Sequence, residues 1–278
     1  MRLIFLTALT MCAFAANSVL TRTAVDGGHL SPAGFALVRV AAGAAMLGIL
    51  SIWRGSALPL MRLTRLPGAI SLTAYMVGFS LAYLTLDAGL GALILFGVAQ
   101  ITMFGHAATT GQPPDGRQMA GAIIAFGGLV LVLWPGEGSV TDPAGAALMV
   151  LAGLGWAAYT IAGRGAADPL AATAANFVLC LPMLAVFLLI MGVSPEGDAW
   201  GIALAVLCGA ITSGLGYALW YTVLRQMRGT TAAVVQLSVP VIAIAAGAVL
   251  LDEQIEPLVL LAAALVVGGI GWAVTAKR

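Results

Sequence analysis

The stretch FAANSVLTRTA, Phe14–Ala24, returns 142 residues later as WAAYTIAGRGA, Trp156–Ala166. Each copy opens on an aromatic residue and Ala-Ala, and each places an arginine eight positions after that aromatic, Arg22 and Arg164. Both copies sit in apolar runs of about 20 residues, long enough to cross a hydrocarbon core of about 30 Å as a helix. Alone, the first run could be a signal peptide: Arg2, an apolar stretch, then small residues at Ala13 and Ala15 around Phe14. Its recurrence in mid-chain, where a signal peptide has no place, makes it a retained helix.

Composition agrees. Of 278 residues 61% are apolar and 8% charged, against about a quarter charged in soluble domains. The 35 glycines suit helices that pack closely in a bilayer. A net charge of +1 with no basic run excludes a nucleic-acid partner. Cys12, Cys180 and Cys208 fall in apolar segments without metal-ligand spacing and read as buried small hydrophobes.

Ten apolar runs follow one another: Leu3–Thr21, Pro32–Trp53, Leu66–Leu86, Leu90–Thr109, Gln118–Trp134, Pro143–Gly163, Leu170–Met191, Trp200–Leu224, Thr230–Leu251 and Pro257–Ala276. Short breaker-rich loops such as GQPPDGR and SPEGD join them. The repeat extends along them. Pro32 and Pro169 open the second and seventh runs, and seven residues on Arg39 corresponds to Asn176. GVAQIT (Gly97–Thr102) aligns with LSVPVI (Leu237–Ile242), and AFGGLVLV (Ala125–Val132) with VVGGIGWA (Val266–Ala273). The offsets stay between 137 and 142, so the drift belongs to loops. Five helices per copy is odd, so residues 143–278 must enter the membrane from the side opposite to residues 1–135. Such inverted repeats hold a binding site between the halves near the midplane. The expected fold is all-α and membrane-integral, ten transmembrane helices in two inverted five-helix repeats.

Charge gives the orientation. With the N-terminus inside, the inner face collects Arg2, Arg54, Arg62, Arg65, Arg117, Arg164, Arg225, Arg228, Lys277 and Arg278, and the outer face only Arg22. The positive-inside rule then puts both termini in the cytoplasm. Arg22 is the exception, placed by the repeat against the topology signal.

On these features the chain resembles the drug/metabolite transporter superfamily, EamA type. LVRVAAGAAMLGIL (Leu37–Leu50), TTAAVVQLSVPVIAIAAGAVLLDEQI (Thr230–Ile255) and the closing AAALVVGGIGWAV (Ala262–Val274) carry the resemblance, which spans the chain. The first repeat departs from the pattern, with Gln100 where the second has Pro240. Within the superfamily the bacterial aromatic amino acid exporter branch is the most similar. That resemblance implies outward movement of neutral amino acids and related metabolites across a bacterial inner membrane.

Polar and aromatic residues inside the helices are the candidate substrate-binding set, since burying them is costly unless they are partnered or line water. Asn17, Trp156 and Tyr159 lie on the paired first and sixth helices, where ring and hydroxyl give an apolar wall with a polar handle. Tyr75, Phe79 and Tyr83 are spaced by four and share one face of the third helix. Tyr83 doubles as a possible interface anchor at its outer end. Tyr217, with Trp220 and Tyr221, forms a similar cluster on the eighth. Gln100 and Gln236 lie on the fourth and ninth, and Pro240 would free a backbone carbonyl beside Gln236 for an ammonium group. The six helices that carry these residues should line a central cavity. Arg39, the deepest cation, could face a substrate carboxylate but reads as an outer-ring arginine that snorkels or bonds the carbonyl ends of a neighbouring helix.

Absences narrow the class. No acid lies in the middle of a run, which disfavours proton-coupled export of cations, and only Arg39 is available for phosphates. A neutral or zwitterionic substrate moving down its gradient is the expectation. His29 and His106 have no nearby acid to pair with, and no protease, zinc or nucleotide motif occurs, so neither catalysis nor a cofactor is expected. The rival class on the same fold is a flippase for lipid or polymer precursors, which needs a lateral opening between helices. Partners are confined to substrate and membrane lipid, with a monomer as the expectation.

Overall fold

A computed structural model describes residues 1–110, 115–134, 141–163, 166–192, 194–224, 226 and 235–274. Arg164, Arg225, Arg228, Lys277, Arg278 and Glu137 lie outside the described residues, so the charge expectations that rest on them have no structural counterpart. Ten helices follow in order: α1 (Arg2–Asp26), α2 (Pro32–Trp53), α3 (Leu66–Ala82), α4 (Ala88–Thr109), α5 (Gly116–Leu133), α6 (Pro143–Gly163), α7 (Pro169–Met191), α8 (Ala199–Leu207 continuing through Cys208–Leu215 and Gly216–Leu224), α9 (Ser238–Leu250) and α10 (Pro257–Val274). Among the described residues seven of them, α1, α2 and α4 to α8, are long and apolar enough to cross a membrane; α3, α9 and α10 are shorter. The chain is a multi-pass membrane protein.

Local chemistry sets the boundaries. Ser31 caps α2 through its Oγ, which accepts from the Gly34 N–H, with Pro32 at the first position where no N–H is needed. Asp115, Asp168 and Asp198 cap α5, α7 and α8 in the same way. α1 runs five residues past the apolar run that predicted it, to Asp26, and within it Thr21 and Thr23 donate to carbonyls one turn back, Asn17 O and Val19 O. α9 starts later than its apolar run. Val235 and Gln236 are helical, the helix breaks at Leu237, and Pro240 falls in the first turn of α9 after the break, where it costs no hydrogen bond. Residues 230–234 lie outside the described set.

In α8 the segment Cys208–Leu215 is a π-helix, CGAITSGL, with Gly209 and Gly214 inside it and Gly216 directly after. No periodicity in the sequence announces it.

Large apolar side chains face outward, Ile4, Phe5, Phe126, Leu189 and Val249 among them, while Arg39, Asn17, Ser213, Gln100 and Gln236 are buried. That distribution suits a hydrocarbon solvent. Cys180 and Cys208 are buried, but Cys12 is exposed on α1, a correction to the expectation for all three. Helix α2 packs on α7 and α5 on α10, flanking a central group in which α3 and α4 pack on α6, and α8 and α9 on α1. Close approaches are made through small residues. A side chain at Gly209 would strike the Arg39 carbonyl, and one at Gly68 the Asn176 side chain. Gly121 meets the backbone of Gly269, and Gly128 that of Ala262.

The loops at the Arg22 end are tied together. Arg22 donates to the Tyr83 carbonyl (3.1 Å) and pairs with Asp26 (3.2 Å), Asp87 (3.5 Å) and Glu253 (3.7 Å). Glu253 also accepts from the Ala88 N–H at the start of α4 (2.8 Å). Leu30 bridges to Gly197, and His29 Nδ1 lies 2.8 Å from Asp198 Oδ2. The last contact corrects the expectation that His29 has no acid to pair with; its partner stands 169 residues away.

Candidate functional site

The sequence-predicted residues converge between the central helices. Asn17 of α1, Tyr75 and Phe79 of α3, Trp156 of α6 and Tyr217 of α8 line one chamber with Phe14, Ser18, Leu95 and Phe96. The rings close most of the space among them, leaving a void of about 10 Å³, about enough for a single water. Five of the six expected helices contribute; α9 supplies no side chain to this lining.

Aromatic contacts build the walls. Phe14 meets Trp156 edge-on at 5.9 Å and Tyr217 at 5.7 Å between centroids, so the two aromatics of the repeated stretch meet in the chamber. Trp156 touches Tyr75 (5.3 Å) and Tyr217 (5.2 Å), and stacks on Tyr159 (5.7 Å, 30°). Such offset and edge pairs each contribute about 0.5–1.5 kcal/mol beyond area burial. The spacing of four on α3 does what it predicts: Tyr75 touches Phe79 at 5.2 Å and Phe79 touches Tyr83 at 4.8 Å. Tyr83, however, is fully buried beyond the chamber and donates to the Ala88 carbonyl (3.3 Å), so it is no lipid-interface anchor. Tyr159 stands behind Trp156. The Tyr221 side chain lies outside the described residues.

The glutamines meet each other. Gln100 Nε2 donates to Gln236 Oε1 at 3.0 Å, both buried, which ties α4 to the residues just before α9. This bond engages the Gln236 side chain and leaves the backbone carbonyl expected to receive an ammonium group untouched. Asn17 is doubly employed. It lines the chamber, and its Oδ1 accepts from Thr212 (2.6 Å), Ser213 (3.2 Å) and Cys208 (3.3 Å) on the π segment of α8.

Arg39 differs most from expectation. It neither snorkels nor bonds carbonyls: the side chain is entirely buried, Nε donates to Ser213 Oγ (3.0 Å) and Nη2 to the Tyr75 hydroxyl (3.1 Å). Its guanidinium carbon lies 4.9 Å from the Phe79 centroid and 5.5 Å from that of Tyr75. A chain of hydrogen bonds thus runs from Arg39 through Ser213 to Asn17. Sequence reasoning missed Ser213 and Thr212; the cluster of small residues CGAITSG around them was the available signal. Among the described residues no group of three or more His, Cys, Asp or Glu could hold a metal ion.

Comparison with known proteins fits this architecture. Residues 143–275 match the EamA-like transporter family model. Over 97% of the chain and 93% of the relative, it is 43% identical to an uncharacterised protein of Pseudomonas aeruginosa. The chain belongs to the EamA-like transporter family. Within this family of the drug/metabolite transporter superfamily it is 28% identical to a probable amino-acid metabolite efflux pump of Escherichia coli, covering 66% of the chain and 67% of the pump. It is 26% identical to an uncharacterised transporter of Archaeoglobus fulgidus, covering 76% of each. A crystal structure shares its fold, with a TM-score of 0.73 over 99% of this chain and 97% of that one at 17% identity.

Proposed function

We propose that this EamA-family transporter is an exporter of small neutral or zwitterionic metabolites, amino acids with aromatic ones among them. It would work as a monomer in a bacterial inner membrane, with both termini cytoplasmic. Substrate sits in the aromatic chamber, and access alternates as one five-helix half rocks against the other. The observation that carries this reading is the lining itself: α1, α3 and α4 of the first half and α6 and α8 of the second supply rings, one amide and three hydroxyls, and no ionised side chain. The similarity to a probable amino-acid metabolite efflux pump supports the substrate class.

The inverted repeat is supported by how contacts exchange. Swapping the halves turns α3 on α6 into α8 on α1, α4 on α6 into α9 on α1, and α2 on α8 into α7 on α3, all of which occur. At the residue level Gly121 on Gly269 becomes Ala262 on Gly128, and Gly209 on Arg39 becomes Gly68 on Asn176. Orientation rests on the arginines of the loops opposite the Arg22 end, Arg54, Arg62, Arg65 and Arg117.

The flippase alternative has less support. A cleft between α2, α3 and α7 is lined by Pro32, Val77, Leu184, Phe187 and other apolar side chains, with nothing to hold a headgroup.

Counterflow in proteoliposomes tests the reading against a panel of amino acids, lipid precursors and cations. Amino acids should exchange without an imposed proton gradient. Trp156→Ala should slow that exchange about tenfold or more, equivalent to about 1.4 kcal/mol, while Trp156→Phe keeps most of it. Exchange of lipid precursors or cations alone would sink the proposal, and unchanged kinetics in Trp156→Ala would remove Trp156 from the site.

A further inference from the structure

A cation sealed inside a membrane protein is expensive, and by default it marks a functional site whose partner must be found. Arg39 is completely buried in α2, and among the described residues no carboxylate lies in ion-pair contact with it. The fold compensates only in part. Ser213 Oγ and the Tyr75 hydroxyl accept from Nε and Nη2, and the rings of Phe79 and Tyr75 offer their faces. These are neutral groups: they favour a cation without balancing its charge. Nη1, with two N–H donors in the fixed plane of the guanidinium, has no acceptor among the described residues.

Arg39 is not part of the chamber lining but stands against two of the rings that form it. Tyr75 and Phe79, the ring partners of Arg39, are also one wall of the chamber. Trp156, in contact with Tyr75, carries a further buried donor without an acceptor, Nε1. Aromatic walls with an uncompensated positive charge and unsatisfied donors select an apolar body that bears an oxyanion. A carboxylate supplies both the missing charge and planar acceptors that match the guanidinium fork.

We infer that Arg39 is the receptor for the substrate's carboxylate, and that the transported class is monocarboxylates with an apolar or aromatic body, amino acids among them. This rests on the chamber being the substrate site. It also goes further, because the chamber lining contains no acid to match Arg39 on the other end of an amino acid. The carboxylate is therefore required, and the ammonium is tolerated against ring faces.

The test is a binding panel on the purified full chain, read by tryptophan fluorescence and thermal shift. Its members are phenylalanine, 3-phenylpropionate (no ammonium), phenethylamine (no carboxylate) and phenylalaninamide (carboxylate neutralised). Phenylalanine and 3-phenylpropionate should bind at least about tenfold more tightly than the two compounds without a carboxylate. Arg39→Gln should shrink that ratio to within about threefold, and Arg39→Lys should keep part of it. The panel on the unaltered protein decides the substrate class even if the Arg39 variants fail to fold. Equal binding of acid and amide overturns this inference and leaves the chamber as a site for aromatic metabolites. Binding of none of the four overturns both readings. An Arg39→Gln protein that folds and keeps its preference for acids removes Arg39 from the role.

Discussion

At the scale of single residues the site depends on polar atoms that serve the fold and the chamber together. Asn17 Oδ1 collects three donors from α8, and Ser213 passes the bond on to Arg39. Removing the acceptor leaves the buried Ser213 O–H without an acceptor, at about 1–3 kcal/mol, while Thr212 keeps its bond to the Cys208 carbonyl. Asn17→Ala should therefore lower the thermal unfolding midpoint clearly, whereas Thr212→Val, which removes one donor and leaves Asn17 its others, should cost less. If the two variants unfold together with the unaltered protein, Asn17 does not organise this network. The same residue shows the limit of sequence reading. A polar residue inside an apolar helix is visible in the sequence, and so is its candidacy for the chamber. Its partners lie some 195 residues on, in a segment whose π geometry has no sequence period, so the network itself was not legible.

At the scale of helices, apolar runs and their breakers were enough to find all ten, because length and hydropathy are what a bilayer selects. The ends were less legible, since α1 continues five residues past its apolar run to Asp26, and a break at Leu237 separates Gln236 from α9. Arg39 was misread for a related reason. Its spacing within α2 was evident, but the sequence gives no means of seeing Ser213 and Tyr75 converge on it from α8 and α3. Packing between helices turns on where a Cβ is tolerated. Gly209→Val should separate α2 from α8, because the added atoms strike the Arg39 backbone, at about 1–3 kcal/mol of overpacking. Gly127→Ala on α5 meets nothing and should gain about 0.5–1 kcal/mol from backbone entropy. Equal unfolding midpoints for these two variants would refute the close contact of α2 and α8.

At the scale of the molecule, the Arg22 end is closed by a charged knot joining α1, α3, α4 and the segment after α9. Arg22, an anomaly in the charge pattern, is the residue that ties these parts together. Burial pushes the Glu253 carboxyl above its usual range, against the opposing pull of the Ala88 N–H and Arg22. A carboxyl whose value is raised in the folded protein stabilises it fully below the ordinary carboxylate value, and that stabilisation is lost as pH rises through the raised one. The unaltered protein should therefore lose stability relative to Glu253→Gln between mildly acidic and neutral pH. Asp198 has the opposite sign, since its hydrogen bond with His29 and the Gly201 N–H lower its value. Its contribution is present above the ordinary carboxylate range and lost as pH falls through the lowered value, so the advantage over Asp198→Asn should shrink only in acid. Unfolding midpoints of the three proteins across a pH series separate the two. If opening of the Arg22 end is the step that releases substrate, Glu253→Gln should also slow counterflow at neutral pH, where the neutral side chain keeps the knot closed. Faster counterflow in that variant would place the opening step elsewhere.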